Sequence, residues 1–188
     1  QRVGDRPNRC SRHRGARVVM LALRTDSVEA TRAVADALAQ LTQGGDLIVL
    51  AGDLGAGKTA FAQGFGHGLG IDDQITSPTF TLARQYEGRL RLNHLDVYRF
   101  DATAEIHDVG LAELLDDEEA VTLIEWGDAI LPALPPDLLE LRITLGDGDD
   151  DRVIEMRLVG SRWAARQRAL ATALQPWLVD ADTDQGAH

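Results

Sequence analysis

A glycine-rich stretch that follows directly on a short apolar run constrains the fold of this chain more than any other feature. The run is LIVLA at 47–51, the eight residues GDLGAGKT occupy 52–59, and a helical pattern extends from Thr59 to about Leu69. A continuous apolar run bounded by Gly and Asp is typical of a strand buried in a parallel sheet. Strand, turn and helix therefore predict an α/β fold with the glycine turn at the end of a central strand.

The glycine turn has the form G-x-x-x-x-G-K-[ST], which is typical of a phosphate-binding loop. Glycines let successive backbone N–H groups curl around a polyphosphate, and the helix that follows directs its positive end at the same charge. Lys58 is the only lysine of the chain, all other basic residues being arginine. A compact ammonium reaches between the β- and γ-phosphates, where a planar guanidinium is too bulky. The pattern predicts a P-loop NTPase fold.

The remaining elements are predicted from periodicity and turn residues. We expect a helix over 27–43, a β-hairpin with arms 79–86 and 89–95, a short helix over 108–115, a buried strand over 121–124, a second hairpin with arms 139–144 and 152–158, and a final helix over 162–174. These elements predict a mixed central sheet flanked by helices, with β-hairpin additions.

The two ends of the chain are predicted to lie outside the domain. Residues 1–17 hold six arginines and no apolar periodicity, so we expect 1–20 to be a disordered basic tail, or to lie upstream of an alternative start at Met20. Residues 176–188 are predicted to form an acidic mobile tail, which leaves one domain over 21–175.

Charge and cysteine content exclude several classes of protein. The net charge of the whole chain is −11, and six of its 19 basic residues lie in the amino-terminal tail, so the domain itself is still more acidic. Such a domain is poorly suited to bind the phosphates of RNA directly. The single Cys10 excludes an internal disulfide framework and a cysteine-based metal site, which favours a cytoplasmic location. No apolar run is long enough to cross a membrane, so no membrane association is expected.

A phosphate-binding loop of this kind works with Mg²⁺, and the sequence offers ligands for it. Thr59 supplies a hydroxyl, and an acidic group is expected from the end of a neighbouring strand. Glu125 follows the better apolar run and is our first choice as metal ligand and catalytic group, with Asp96 as a candidate to orient the attacking water. Which of the two acids positions the water stays open. The segment 93–96, NHLD, lacks the lysine of a guanine-reading N-K-x-D, so ATP is favoured over GTP.

The segment TSPTF at 76–80 lies between the loop helix and the hairpin, where many P-loop proteins carry a switch. A hydroxyl there, with Thr79 as the candidate, would sense the γ-phosphate, although Ser and Thr next to Pro are also common in plain turns. Tyr98, Arg99 and Trp126 are candidates for nucleotide or partner contact, or for packing at strand ends.

Four motifs in this order, GDLGAGKT (52–59), SPTFTL (77–82), HLDVYR (94–99) and IEW (124–126), resemble the TsaE family, formerly YjeE. The resemblance covers about residues 25–160. It implies a P-loop fold, binding of ATP and ADP with Mg²⁺, and slow ATP hydrolysis. It also implies support of the TsaB–TsaD pair in forming threonylcarbamoyladenosine next to the anticodon of ANN-decoding tRNAs, with tRNA contacted only through that complex.

The resemblance also assigns residues. It implies that Gly55 to Thr59 hold the phosphates, that Thr59 and Glu125 serve Mg²⁺, and that Asp96 is needed for hydrolysis. It also implies that Trp126 lies beside the nucleotide and that Thr31 approaches it. With the motif and the switch segment taken together, the predicted catalytic residues are Lys58, Asp96 and Glu125. The predicted nucleotide-binding set is Thr31, Asp53, Leu54, Gly55, Ala56, Gly57, Lys58, Thr59, Ala60, Thr79 and Trp126. Where the family often has a second threonine after GKT, this chain has Ala60, so only the backbone N–H remains for the α-phosphate.

Two other functions are compatible with the same loop. A small-molecule kinase transfers phosphoryl groups with the same chemistry, but no basic residue lies between Glu125 and Arg142 to supply an arginine-bearing lid. A nucleotide-gated binding switch with negligible hydrolysis would use the segment 77–80 to signal the bound nucleotide.

Overall fold

A computed structural model describes residues 18–78, 83–98 and 110–179, and its centre is a seven-stranded mixed sheet. In chain order the strands are β1 Val18–Thr25, β2 Leu47–Ala51, β3 Ala83–Tyr86, β4 Arg91–Asp96, β5 Ala120–Glu125, β6 Leu138–Leu145 and β7 Arg152–Val159. They are ordered β1-β7-β6-β2-β5-β4-β3 across the sheet. The four central strands β6, β2, β5 and β4 are parallel, and β1, β7 and β3 pair antiparallel. The predicted fold class is confirmed.

Helices cover both faces of this sheet. They are α1 Val28–Ala39, α2 Lys58–Gly68, α3 Leu111–Leu115, α4 Ser161–Ala165 and α5 Gln167–Ala173, with 3-10 helices over Gly127–Ala133 and Gln175–Trp177. No helix within the described ranges is long and apolar enough to cross a membrane.

The core consists of two buried clusters, one on each face of the sheet, and β2 contributes to both. Its five residues are all buried, and its side chains alternate between the faces because successive residues of a strand point in opposite directions. Ile48 and Leu50 join the cluster formed with α1, α2 and α5. Leu47 and Val49 join the cluster formed with α3 and the 3-10 helix over Gly127–Ala133. The apolar run read from the sequence is therefore a central strand buried on both faces.

The basic tail predicted over 1–20 is too long at its carboxyl end. Val18, Val19 and Met20 belong to β1, which pairs antiparallel with β7 from Val18 opposite Val159 to Thr25 opposite Arg152. This pairing joins residues more than a hundred positions apart, so nothing in the local pattern reveals it. The acidic tail predicted over 176–188 begins too early, because Gln175–Trp177 form a 3-10 helix and Leu178 pairs with Leu23 of β1. Residues 1–17 and 180–188 lie outside the described residues, as do the first part of the predicted hairpin at 79–82 and Arg99.

Two predicted helices are shorter than expected. The first ends at Ala39 instead of extending to 43, because the buried carboxylate of Asp46 accepts a hydrogen bond from the Gln43 N–H at 2.8 Å and holds the chain in a turn. The final helix is divided into α4 and α5 at Arg166, whose guanidinium points to the same carboxylate. The two hairpins and the strand β5 lie where the sequence predicts them, within two residues wherever the chain is described.

Candidate functional site

The loop over 52–57 joins the end of β2 to the start of α2, as the glycine motif predicts. Gly52, Gly55 and Gly57 have φ angles of 138°, 81° and 109°, a region that side chains other than glycine rarely adopt. Helix α2 begins directly after Gly57, so its free N–H groups and its positive dipole end face the loop. The arrangement is a ready-made anion site.

Lys58 is buried, and its ammonium group lies against the loop. Its Nζ donates hydrogen bonds to the carbonyl oxygens of Gly52 at 2.7 Å and Asp53 at 2.8 Å, and it lies 3.5 Å from the ring centroid of Trp126. Burial lowers the pKa of Lys58 below its usual value, and the negative charges around it, Glu125 first, only partly oppose that effect.

The two acids proposed from the sequence lie side by side. Strands β4 and β5 are parallel, and their register places Asp96 opposite Glu125 at the carboxyl ends of both strands. The hydroxyl of Thr59 donates to Glu125 Oε2 at 3.2 Å. Asp96 accepts a hydrogen bond from the Ser77 hydroxyl at 2.6 Å and another from the Tyr98 N–H at 3.0 Å. Glu125 is thus tied to the loop helix, and Asp96 to the segment that follows it.

A histidine that the sequence did not single out for the site contacts one of these acids. His94 is completely buried, and its Nε2 lies 2.9 Å from Glu125 Oε1. It stands two residues before Asp96 on β4, so the two side chains share a face of the strand. That period of two was the one signal that could have placed His94 at the site.

These groups surround a cleft of about 530 Å³. Nine predicted site residues line it, namely Leu54, Gly55, Gly57, Lys58, Thr59, Ala60, Asp96, Glu125 and Trp126, together with Tyr98, a candidate contact residue, and Ser77. Trp126 and Tyr98 pack against each other with ring centroids 4.6 Å apart.

Three predicted nucleotide-binding residues do not line the cleft. Asp53 contributes only its carbonyl, to Lys58, and the carbonyl of the buried Ala56 accepts a hydrogen bond from Arg152 Nε at 2.8 Å. Thr31 is buried, and its hydroxyl lies 2.9 Å from that of Thr25. Its role in binding stays a prediction, and Thr79 lies outside the described residues.

The donor set fits Mg²⁺ bound together with a polyphosphate. Among the described residues no group of three or more His, Cys, Asp and Glu side chains is arranged to hold a metal ion. Mg²⁺ is commonly held by one or two protein oxygens plus substrate phosphates and water. Thr59 and the buried carboxylate of Glu125 offer such oxygens beside the phosphate loop.

A larger groove, of about 890 Å³, lies along the outer side of α1 and α2. Its lining includes Arg32, Asp36, His67 and Ile75 but none of the residues of the glycine loop. The ionisable side chains described above and the residues of the glycine loop converge on the smaller cleft, which we therefore take as the candidate functional site.

Known proteins share this sequence and fold. The family model described as "Threonylcarbamoyl adenosine biosynthesis protein TsaE" matches residues 25–154. The chain is 43% identical over 141 residues to the Bacillus subtilis tRNA threonylcarbamoyladenosine biosynthesis protein TsaE, covering 74% of this chain and 87% of that protein. It is 40% identical over 134 residues to the Streptomyces coelicolor protein of the same name, covering 68% and 89%.

A solved structure supports the same relationship. The crystal structure of Bacillus subtilis YdiB superimposes with a TM-score of 0.69 at 36% identity, covering 83% of this chain and 97% of that one. Since the family model spans well over half of the chain and both named relatives are matched along most of their length, the chain belongs to the TsaE family.

Proposed function

We propose that this protein binds ATP with Mg²⁺ in the cleft at the carboxyl ends of β2, β4 and β5 and hydrolyses it slowly. The observation that carries the proposal is the meeting of three groups from distant parts of the chain. Lys58 on the loop helix, Asp96 on β4 and Glu125 on β5 all line one cleft. A polyphosphate held by the loop would place its terminal phosphate beside both carboxylates.

Each of these groups has a distinct role in the proposed reaction. The N–H groups of the loop and the ammonium of Lys58 hold and neutralise the phosphates. Thr59 and Glu125 are the protein groups that would hold Mg²⁺, which neutralises charge developing on the phosphate oxygens. Asp96 accepts a hydrogen bond from the attacking water and so orients it toward the γ-phosphorus.

ATP rather than GTP is proposed as the substrate, and the position of Asn93 supports this. Its side chain is completely buried and donates to the carbonyl of Leu114 at 3.2 Å. In β4 it is one residue away from both His94 and Leu92, on the face opposite to Asp96. Asn93 of the NHLD segment is therefore a packing residue. It does not lie on the same face as Asp96, so the two do not form the Asn–Asp pair with which an N-K-x-D motif recognises guanine.

The family relationship supports a role for the proposed activity in tRNA modification. Because the relatives are named as tRNA threonylcarbamoyladenosine biosynthesis proteins, we propose that ATP turnover here supports the TsaB–TsaD complex in making that nucleoside. The net charge of −11 fits a subunit that reaches tRNA through partners and not by neutralising phosphates itself.

The proposal is tested by ATP hydrolysis with Mg²⁺, for the protein alone and with added TsaB–TsaD. We expect the wild-type protein to hydrolyse ATP slowly and the partners to raise the rate. Lys58→Ala should abolish turnover. Asp96→Asn should reduce turnover by at least about a hundredfold and still bind ADP. Nucleotide-dependent partner binding that survives Asp96→Asn, with no turnover in any sample, would indicate a binding switch. ADP release that depends on an added small-molecule acceptor would indicate a kinase.

A further inference from the structure

The functional site contains a buried ionisable side chain that the proposed reaction does not use. His94 is completely buried in β4, and its Nε2 contacts Glu125 Oε1 at 2.9 Å. Its other ring nitrogen, Nδ1, has no hydrogen-bond partner among the residues that the structure describes. A buried polar atom without a partner is costly, so the retention of a histidine here calls for a reason.

The contact with Glu125 defines which ring nitrogen carries the proton. An ionised carboxylate only accepts hydrogen bonds, so beside ionised Glu125 the His94 Nε2 is the donor. In the neutral ring Nδ1 is then unprotonated. On its face of the sheet His94 lies between the buried Leu92 of its own strand and Leu123, its partner on β5. The ring has one polar contact, and that contact is directed at the acid.

The two oxygens of Glu125 are divided between two partners. Oε1 accepts from His94, and Oε2 lies closer to the Thr59 hydroxyl, at 3.2 Å against 3.5 Å for Oε1. The Glu125 side chain is nearly inaccessible to solvent, so these two contacts are the ones that hold the carboxylate among the described residues. His94 approaches from the sheet and Thr59 from the loop helix, and together they set the direction of the carboxylate plane.

We propose that His94 is a positioning residue that holds Glu125 in the orientation needed to receive Mg²⁺ at the Thr59 side. The proposal rests on the function proposed above and goes beyond it by assigning the residue that prepares the metal ligand. Hydrogen bonds to a ligating carboxylate from outside the first coordination sphere typically change metal affinity by about 10–100-fold.

The test compares two amides of different reach. In His94→Gln the amide nitrogen is as many bonds from Cβ as Nε2 of histidine is, so it still donates to Glu125. In His94→Asn the amide is one bond shorter and does not reach. We measure binding of a fluorescent ADP analogue against Mg²⁺ concentration and, separately, in EDTA.

We expect the Mg²⁺ concentration at half-saturation to rise about tenfold in His94→Asn and to stay within about threefold of wild type in His94→Gln, with Mg²⁺-free affinity unchanged in both. The matched control is Asn93→Leu, which replaces a buried polar residue on the opposite face of the same strand. It should lower the melting temperature without moving the Mg²⁺ midpoint.

Equal midpoints in His94→Asn and wild type would overturn the proposal, as would an equal shift in the Asn and Gln variants. An absence of any Mg²⁺-dependent nucleotide binding in the wild type would instead overturn the proposed function itself. The two failures are therefore distinguishable.

A measurement on the unsubstituted protein keeps the proposal testable if the variants do not fold. The ¹⁵N chemical shifts of the imidazole rings report which nitrogen carries the proton, and resonance assignment identifies the signals of His94 among the five histidines of the chain. A proton on Nε2 supports the proposal. A proton on Nδ1 alone overturns it, because a bare Nε2 cannot donate to Glu125.

Discussion

At the scale of single residues, the ammonium of Lys58 makes two kinds of contact, and a bound phosphate would take the place of both. Its ammonium donates to two loop carbonyls and lies against the ring of Trp126. Trp126 itself has a φ of 61°, the one positive value among the described residues other than glycine, a conformation that costs a bulky side chain energy. Trp126 follows Glu125 directly, so the strained backbone lies at the candidate functional site.

The lowered pKa of Lys58 predicts a pH dependence of nucleotide binding. Burial lowers this pKa, so the ammonium loses its proton at a lower pH than an exposed lysine does, and phosphate affinity falls as the pH rises through that value. The measurement is Mg²⁺-free ADP affinity between neutral pH and about pH 10.

Lys58→Arg is the matched control, since arginine keeps its charge over this range. Its affinity should be weaker than that of wild type and should not decline through the same step. A wild-type affinity that stays constant up to the ordinary lysine pKa would contradict the prediction.

At the scale of elements, the loop helix approaches α1 at its glycines. A methyl group at Gly64 would overlap the backbone of Arg32, and one at Gly68 would lie 2.7 Å from the carbonyl oxygen of Asp36. Glycines occupy positions 64, 66 and 68 of α2, and at Gly64 and Gly68 the structure shows close packing against α1. The glycines let α2, which carries Lys58 and Thr59, lie directly against its neighbour.

This packing predicts that Gly64→Ala destabilises the protein by about 1–3 kcal/mol, because overlap with backbone cannot be relieved by a side-chain rotation. Gly66→Ala is the control. The three atoms nearest to its methyl group would all belong to the side chains of Ile75 and Ile71, which can change rotamer, and alanine gains up to about 1 kcal/mol of helix propensity. Urea unfolding of both variants tests this. Equal losses in the two would show that the helix contact is not the cause.

At the scale of the whole molecule, the C-terminal helices are fastened to the amino end of β2 by a buried ion pair. Arg166 holds both carboxylate oxygens of Asp46, at 2.6 and 2.7 Å, and packs over the ring of Trp163 at 4.1 Å. The Asp46 side chain is fully buried and that of Arg166 nearly so. Removal of one partner from such a pair leaves a charge without compensation.

We therefore expect Arg166→Ala to lower the free energy of unfolding by about 3 kcal/mol. Arg24→Ala is the comparison, because Arg24 pairs with Asp147 on the exposed hairpin tip and solvent screens such pairs. That variant should unfold close to wild type in the same urea titration. A similar loss in both would mean that burial does not distinguish the two pairs.

The local pattern of the sequence determined the central strand β2, the glycine loop, the start of the loop helix and both hairpins. These features depend on neighbours within a few residues, since the run 47–51, the motif 52–59 and the turn residues each specify their own backbone. The motifs also identified Lys58, Thr59, Asp96 and Glu125, which all line the cleft.

Only the tertiary structure decided how these pieces meet. The pairing of β1 with β7 joins residues up to 141 positions apart, and the contact between His94 and Glu125 joins residues 31 positions apart. The turn after α1 depends on the buried charge of Asp46. Periodicity tells which face of a strand a side chain occupies, but not which strand or helix lies opposite. That choice follows from sheet order and packing, which depend on the free energy of the whole chain.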